Sequence, residues 1–277
     1  MIEKIGFMQG RLSPLVENKI QAFPWPYWQN EFEIAKNNLF YIMEWTLDQE
    51  RLYENPLMTE AGRDLIKKLM KKYQISIPSM TGDCFMQSPF YKKDKFERKI
   101  LLNDLFNIID SCSKINIKNI LIPLVDNGRL ENIKHEEILI SELENFKGIL
   151  KQNKIIISFE SDFEPQKLLR FIKKFDDNCF GITYDIGNSA ALNFDPDEEL
   201  NLYAHRIKNI HVKDRLLNGS SVPLGKGNAN IPFILKKLKM IKYNGNLILQ
   251  TARAEKENHL EVLCVYRDLI VSYIKNI

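Results

Sequence analysis

Short apolar runs alternate with longer amphipathic stretches along the whole chain. Several of the runs, such as NILIPLV, KIIISFE and NLILQ, are almost continuously apolar, as is typical of parallel strands buried on both faces. The amphipathic stretches carry charged residues on one face and Leu, Ile and Phe on the other, at helical spacing. The pattern predicts strands at 3–9, 39–46, 75–80, 118–124, 154–160, 180–185, 207–212 and 246–251, and helices at 62–73, 96–115, 136–152, 166–175, 231–242 and 258–275.

Eight units of strand followed by helix predict an α/β fold with a parallel sheet. No glycine-rich dinucleotide fingerprint follows the first strand, which favours a closed barrel over a doubly wound sheet. The 277 residues are close to the roughly 250 that such a barrel uses as one domain. We therefore predict a single (β/α)8, or TIM, barrel domain spanning 1–277. The long segments 10–32, 81–95 and 214–230 are predicted to fold over the barrel mouth.

Composition and charge indicate an ordinary soluble protein. The 39 basic and 36 acidic residues give a net charge of +3 and form no block, so little argues for a nucleic acid partner. The four cysteines include no CxxC pair and are interpreted as reduced thiols of an intracellular protein. No signal-peptide core and no apolar run of the roughly 18 residues needed for a membrane span is present. We predict a cytoplasmic location and no membrane partner.

Polar residues stand at the ends of the last four predicted strands. Strand five ends in Glu160, strand six in Asp185, strand seven carries His211 and strand eight ends in Gln250. In a (β/α)8 barrel the functional residues lie at the carboxyl ends of the strands. A single such residue is more often a helix cap or a hydrogen-bonded core residue. Four at equivalent ends of successive strands are hard to explain as caps, and they predict a site at the barrel mouth.

Glu160, Asp185 and His211 form a donor set that suits a divalent cation such as Mn²⁺, Mg²⁺, Co²⁺ or Zn²⁺. The two carboxylates would balance the charge of the ion. A metal held there could bind adjacent hydroxyl and carbonyl oxygens of a sugar, acidify the neighbouring C–H group and stabilise an enediolate.

Several segments together resemble a known family. The ESD, YDIGN and HVKD segments, in this order and spacing, are similar to the xylose-isomerase-like barrel superfamily of sugar phosphate isomerases and epimerases. The opening IGFMQGRLSP, the pattern W-x-x-EF-x-x-A, the strand ending IMEW and the stretch PLGKGNANIPFILKKLK resemble its members too. The resemblance covers the whole chain and is specific for the fold and the metal-site position, but loose for the substrate. It implies a metal held by Glu160, Asp185, His211 and residue 250.

Gln250 departs from the pattern that the resemblance implies, in which strands five and eight each supply a glutamate. A carboxamide offers its oxygen to a metal but cannot accept a proton at neutral pH, and one negative charge is lost. This departure favours a one-base isomerisation with Glu160 as the catalytic base over a symmetric two-base epimerisation. A decayed metal site in which Glu44, Asp83 or Glu255 is the base stays open.

Five further residues are candidates for binding the substrate. Glu44 ends strand two and is interpreted as a hydrogen-bonding partner of a sugar hydroxyl or as part of a structural ion pair. Arg11, Lys213 and Arg215 would supply positive charge for a phosphate, although Lys213 has the alternative of facing solvent. Arg253, just after strand eight, would replace metal charge or clamp a phosphate.

The sequence thus predicts an isomerase or epimerase of a small sugar or sugar phosphate that depends on a divalent metal. The alternative is a family member with altered chemistry, either dehydratase-like or a sugar-binding barrel with a degenerate metal site. An endonuclease IV-like nuclease is disfavoured, because only four histidines are present and no basic groove is indicated. The particular sugar, its phosphorylation, the metal and the formation of a homo-oligomer stay open.

Overall fold

Eight parallel strands close into a barrel in the computed structural model, which describes residues 1–277. Each strand pairs with its neighbours in the chain, and the first pairs with the last. The predicted (β/α)8 barrel is confirmed, and all eight predicted strands are present. The strands are β1 (Ile5–Met8), β2 (Ile42–Thr46), β3 (Ser76–Thr81), β4 (Asn119–Leu124), β5 (Ile156–Ser161), β6 (Phe180–Asp185), β7 (Ile207–Val212) and β8 (Asn246–Leu249).

Eleven α-helices surround the barrel or cover its mouth. The predicted helix at 136–152 is divided into two, and four helices were not predicted: α1, which begins inside the segment predicted as a loop, and the short α3, α8 and α9. The helices are α1 (Asn30–Asn37), α2 (Glu60–Tyr73), α3 (Asp83–Gln87), α4 (Lys95–Lys114), α5 (Ile133–Glu144), α6 (Lys147–Asn153), α7 (Pro165–Ile172), α8 (Ile186–Ala191), α9 (Pro196–Tyr203), α10 (Ile231–Met240) and α11 (His259–Lys275). None of them combines the length and the apolar character that crossing a membrane requires.

The two faces of the strands bury different kinds of side chain. One face joins the helices in a continuous apolar core of 62 buried residues. The other face lines the inside of the barrel, where alternate residues are small or polar; Ser158 and Thr183, for example, share a hydrogen bond of 2.7 Å. At Gly6 an added Cβ would lie 2.6 Å from Cγ2 of Ile42, so only glycine fits there. The inside of the barrel therefore combines polar side chains with a small apolar cluster of Met8, Ile42 and Ile248.

Three long segments form the rim of the mouth, as the sequence predicted. They contribute residues of 11–21, 81–87 and 215–221 to the wall of one cavity. The third segment begins with a short antiparallel hairpin that pairs Asp214–Arg215 with Ser221–Val222. Asp214 then accepts backbone N–H groups of Gly225, Gly227 and Ala229 at 2.9 to 3.0 Å, which fixes the glycine-containing loop to the end of β7.

Candidate active site

The imidazole of His211 lies inside the barrel on β7 and is fully buried. Its Nε2 atom is 2.7 Å from Oε1 of Glu44, and this contact crosses the barrel because β2 and β7 are not neighbours. Its Nδ1 atom has no hydrogen-bonding partner and lies 3.9 Å from both Glu160 Oε2 and Asp185 Oδ2. A buried polar atom without a partner is costly, so Nδ1 marks a position where a ligand would be stabilised.

Glu160, Asp185 and His211 come together at the ends of three adjacent strands. Their potential ligand atoms all lie within 4.8 Å of one another. Asp185 and His211 are directly paired in the register of β6 and β7, so their side chains leave the sheet on the same side. The structure thus brings together the three residues that the sequence predicted as metal ligands.

Glu44 lies beneath this group rather than on the cavity wall. It is fully buried, and besides His211 it accepts hydrogen bonds from Ser79 Oγ and Asn209 Nδ2, both at 2.6 Å. A carboxylate that accepts from one imidazole nitrogen leaves the lone pair of the other nitrogen free for a ligand. Of the two interpretations of Glu44 that the sequence left open, its position favours the structural one.

Asn188 connects the two carboxylates of the site. Its backbone N–H donates to Asp185 Oδ1 at 2.8 Å, which caps α8, and its side-chain amide donates to Glu160 Oε1. The amide oxygen accepts from Arg215 Nη1 at 2.7 Å. Asn188 belongs to the YDIGN segment, but its role was not predicted, because α8 is too short to show a periodic pattern.

The two carboxylates have pKa shifts in opposite directions. Burial, together with the charge of Asp185, raises the pKa of Glu160 to about 7. Burial also opposes ionisation of Asp185, but the ammonium of Lys213, 2.6 Å from Oδ2, and the His211 imidazole outweigh it and lower the pKa of Asp185. Two neighbouring carboxyl groups with separated pKa values can take different roles: Glu160 can exchange a proton near neutral pH, and Asp185 stays ionised.

Gln250 follows β8 and borders the same cavity as Glu160. Its backbone N–H donates to Val212 O at 3.2 Å, which extends the pairing of β8 with β7 by one residue. Its side-chain Oε1 is buried and has no hydrogen-bonding partner. An amide oxygen in this state is available to a cation or to a hydroxyl group.

The cavity above these residues has a volume of about 690 Å³ and is lined mainly by polar and charged residues, with room for a ligand the size of a sugar phosphate. Arg11, Lys213, Arg215 and Arg253 all border it. Arg215 donates to Gly219 O at 2.7 and 3.0 Å, in addition to its contact with Asn188. The structure therefore places all four predicted cationic residues around one cavity.

Arg11 and Arg253 are tied to the backbone of the rim. Arg11 is buried and donates to Thr251 O at 3.2 Å and to Ile20 O at 2.9 Å. Burial, with the nearby charge of Arg253, lowers the pKa of Arg11 to about 9. Arg253 donates to the backbone carbonyls of Gly10 and Ser13, so much of its hydrogen-bonding capacity is used within the protein.

Glu31 and Arg253 bind the same loop, residues 10–13. Arg253 donates to backbone carbonyls of this loop, and Glu31 accepts from its backbone N–H groups. From α1, its carboxylate accepts from the backbone of Gly10 at 2.9 Å, from Leu12 at 3.1 Å and from the hydroxyl of Ser13 at 2.8 Å. The W-x-x-EF-x-x-A pattern thus has a physical role: it supplies the glutamate that fixes the loop carrying Arg11. This role requires a contact between separate segments and was not predicted.

The donor set fits a divalent cation. Two carboxylates, an imidazole nitrogen without a partner and an amide oxygen without a partner are the ligand types that Mn²⁺, Mg²⁺, Co²⁺ and Zn²⁺ accept. The Glu44 contact to His211 is the outer-shell carboxylate that orients a ligating imidazole. Lys213 opposes binding, because it already neutralises part of the charge of Asp185.

The closed (β/α)8 barrel thus carries two carboxylates and a histidine at its mouth. The chain belongs to the xylose isomerase-like TIM barrel family, whose family model matches residues 32–267. The family membership predicted from the ESD, YDIGN and HVKD segments is thereby confirmed.

Known proteins are similar to this chain over nearly its whole length. A Haemophilus influenzae protein named "Putative L-ribulose-5-phosphate 3-epimerase SgbU" is 25% identical over 266 residues, which cover 90% of this chain and 92% of that protein. The crystal structure of an IolI protein with a bound zinc atom has a TM-score of 0.76 at 13% identity, covering 99% and 98% of the two chains. The D-psicose 3-epimerase of Clostridium cellulolyticum H10, solved with D-tagatose, has a TM-score of 0.73 at 14% identity and the same coverage.

Proposed function

We propose that this protein is an isomerase or epimerase of a small sugar or sugar phosphate, which transfers a proton next to a carbonyl group through an enediolate with the help of a divalent metal. The observation that carries this proposal is the buried Nδ1 atom of His211, without a partner and 3.9 Å from the carboxylates of Glu160 and Asp185. The epimerases among the similar proteins support the sugar as the class of substrate.

The metal would be held by Glu160, Asp185, His211 and the amide oxygen of Gln250. When bound, it would polarise the carbonyl and stabilise negative charge on adjacent oxygens. Glu160 is the proposed base, because its carboxyl group is on the wall of the cavity in which the substrate would lie, where it can take a proton directly. Asp185 stays ionised beside Lys213.

The residues around the cavity have separate proposed tasks. Arg11, Lys213 and Arg215 provide positive charge and N–H groups for hydroxyl or phosphate oxygens. Arg253 acts on the substrate through the loop that it holds, and Glu44 acts through His211. The cytoplasmic location stays a prediction, and the oligomeric state stays open.

The test is solvent-deuterium incorporation. The purified protein, supplied with Mn²⁺ in deuterated water, is incubated separately with L-ribulose 5-phosphate, D-psicose and D-tagatose, and NMR detects deuterium at the carbon next to the carbonyl. We expect incorporation into at least one sugar and its loss in Glu160→Gln. Glu164→Gln, which changes an exposed carboxylate four residues further along, is the matched control and should keep the activity. Absence of deuterium in all three sugars would refute the proposal.

The alternative of a sugar-binding barrel with a degenerate metal site makes a different prediction. Such a protein would bind one of these sugars in calorimetry without exchanging its hydrogen. The endonuclease IV-like alternative finds no support in the structure, because only one group of three metal-ligating side chains is present.

A further inference from the structure

Asp83 is a buried carboxyl group on the wall of the same cavity, apart from the residues assigned so far. It lies two residues after β3, at the start of α3, and is 5% exposed. Its Oδ1 accepts a hydrogen bond from Thr81 Oγ1 at 3.0 Å. Its Oδ2 is buried and has no hydrogen-bonding partner, although the residue borders the cavity.

Neither a metal ligand nor an ion pair accounts for this carboxyl group. Asp83 is not part of the group whose ligand atoms lie within 4.8 Å of one another. The charge of Arg11 is close enough to lower the pKa of Asp83. No nitrogen of Arg11, however, lies within 4.0 Å of a carboxylate oxygen of Asp83, so the two do not form an ion pair. A carboxylate that is buried without a charged partner is expensive, so a structural role gives no reason for its presence.

The place of Asp83 in the barrel sets it across the mouth from His211 and a quarter of the ring from Glu160. β3 lies four strands from β7, which is the opposite side of an eight-stranded barrel, and two strands from β5. Glu160 and Asp83 therefore approach the cavity from different sides. A substrate between them would meet a carboxyl group on two sides, whereas the amide of Gln250 provides no proton acceptor.

We propose that Asp83 is the second acid/base group of the cavity, so that the protein epimerises its sugar with Glu160 and Asp83 on the two faces of one carbon. This inference rests on the proposed function and names its reaction. The one-base isomerisation expected from the sequence followed from the lack of a carboxylate at position 250, and Asp83 entered there only as the base of a decayed metal site.

The proton transfers balance with these two groups alone. Glu160, as a carboxylate, takes the proton of the C–H bond next to the carbonyl, and the electron pair moves to the carbonyl oxygen to leave an enediolate. Asp83, as a carboxylic acid, gives its proton to the other face of the same carbon, and the electron pair returns from oxygen to re-form the carbonyl. Glu160 ends protonated and Asp83 ionised, and exchange of one proton with water restores both.

The surroundings of Asp83 suit a group that carries a proton for part of the time. Burial, and then the charge of Asp48, raise the pKa of Asp83 to about 7, against the opposing effects of the Thr81 hydroxyl, Arg11 and His211. A group with a pKa near the working pH is both an adequate acid and an adequate base.

The test separates exchange from epimerisation in Asp83→Asn. With Mn²⁺ and the sugar that the wild type accepts, in deuterated water, the wild type should form the epimer with deuterium at the inverted carbon. Asp83→Asn should lose epimer formation by about 100-fold or more, yet still introduce deuterium into the substrate with retained configuration, because Glu160 is intact. Glu160→Gln should lose both. Asp83→Ser gives a second variant if the amide disturbs folding.

Asp104→Asn is the matched control. Asp104 is also buried and also accepts a hydrogen bond from a hydroxyl group, that of Tyr53 at 2.5 Å, but it lies on α4 outside the cavity. This variant should epimerise the sugar like the wild type. Epimer formation at the wild-type rate by a folded Asp83 variant would overturn the inference, as would exchange by the wild type without any epimer. Absence of all exchange in the wild type would instead refute the proposed function.

Discussion

Glu44→Gln should weaken metal binding without unfolding the barrel. Glu44 accepts from His211 at 2.7 Å and from Ser79 and Asn209 at 2.6 Å. Glutamine keeps the size of the side chain but replaces one oxygen with an NH₂ donor. If the NH₂ group faces His211, the imidazole must accept at Nε2 and carry its proton on Nδ1, which then cannot bind a cation. If the NH₂ group faces Asn209, the side-chain amide of Asn209 must rotate by about 180° so that its oxygen accepts. His211 then bonds to a neutral amide oxygen and loses its charge-assisted hydrogen bond.

The size of the effect follows from either arrangement. One hydrogen bond to a charged group contributes about 1.5–3 kcal/mol. Loss of the outer-shell partner of a metal-binding histidine typically weakens metal affinity by about 10- to 100-fold, which corresponds to about 1.4–2.7 kcal/mol. The two values agree, so we expect the dissociation constant for Mn²⁺ to rise by about 10- to 100-fold.

Isothermal titration calorimetry with Mn²⁺ measures this change, and circular dichroism checks that the variant is folded. Glu199→Gln is the matched control. Glu199 is also buried and accepts from three hydroxyl groups, including Tyr184 at 2.9 Å and Tyr203 at 2.6 Å, but it does not contact His211. The Glu199→Gln variant should have a lower free energy of unfolding than the wild type and an unchanged Mn²⁺ affinity. A folded Glu44→Gln variant with wild-type affinity would refute the reasoning.

The remaining predictions concern metal affinity, pH and a loop glycine. Gln250→Glu adds a negative charge and should tighten Mn²⁺ binding at least about tenfold in calorimetry; unchanged affinity would mean that residue 250 does not contact the ion. Burial raises the pKa of Glu31 from 4.5 to about 7, so its contribution to stability is complete below about pH 4.5 and falls by about 3 kcal/mol as the pH rises through 7. Urea unfolding at about pH 5 and about pH 8 should show this loss in the wild type and not in Glu31→Gln, and equal losses in both would contradict it. In Gly227→Ala the new Cβ would lie 2.1 Å from Asp214 Oδ1, so thermal unfolding should show a loss of about 1–3 kcal/mol. Gly148→Ala, with nothing within 4 Å of its Cβ, should show no comparable loss.

The features that repeat along the chain were predictable from the sequence. The apolar runs show where the strands lie because a parallel strand is buried on both faces. Once the strands are placed, the geometry of a barrel brings their ends together, and Glu160, Asp185 and His211 follow from their positions at those ends. The short α8 was missed, because IGNSAA contains too few residues for a periodic pattern.

Contacts across the barrel were not predictable from spacing. Glu44 and His211 are 167 residues apart, and only the closed barrel shows that the first orients the second. The sequence predicts that Arg253 replaces metal charge or clamps a phosphate, but it does not show that the carbonyls of Gly10 and Ser13 lie beside this side chain. The missing partner of Asp83 is likewise a property of the folded structure, because any carboxyl group after a strand has many potential partners.

The contact between Glu44 and His211 links the two halves of the chain. The four residues proposed to bind the metal come from β5 to β7 and from the end of β8, whereas the carboxylate that orients the imidazole comes from β2. A fragment consisting of the second half alone would contain all four proposed ligands but leave the imidazole ring free to rotate. Cation affinity should therefore appear only when the ring of strands is complete, so that metal titration reports on barrel closure during refolding or on the reassembly of separately expressed halves.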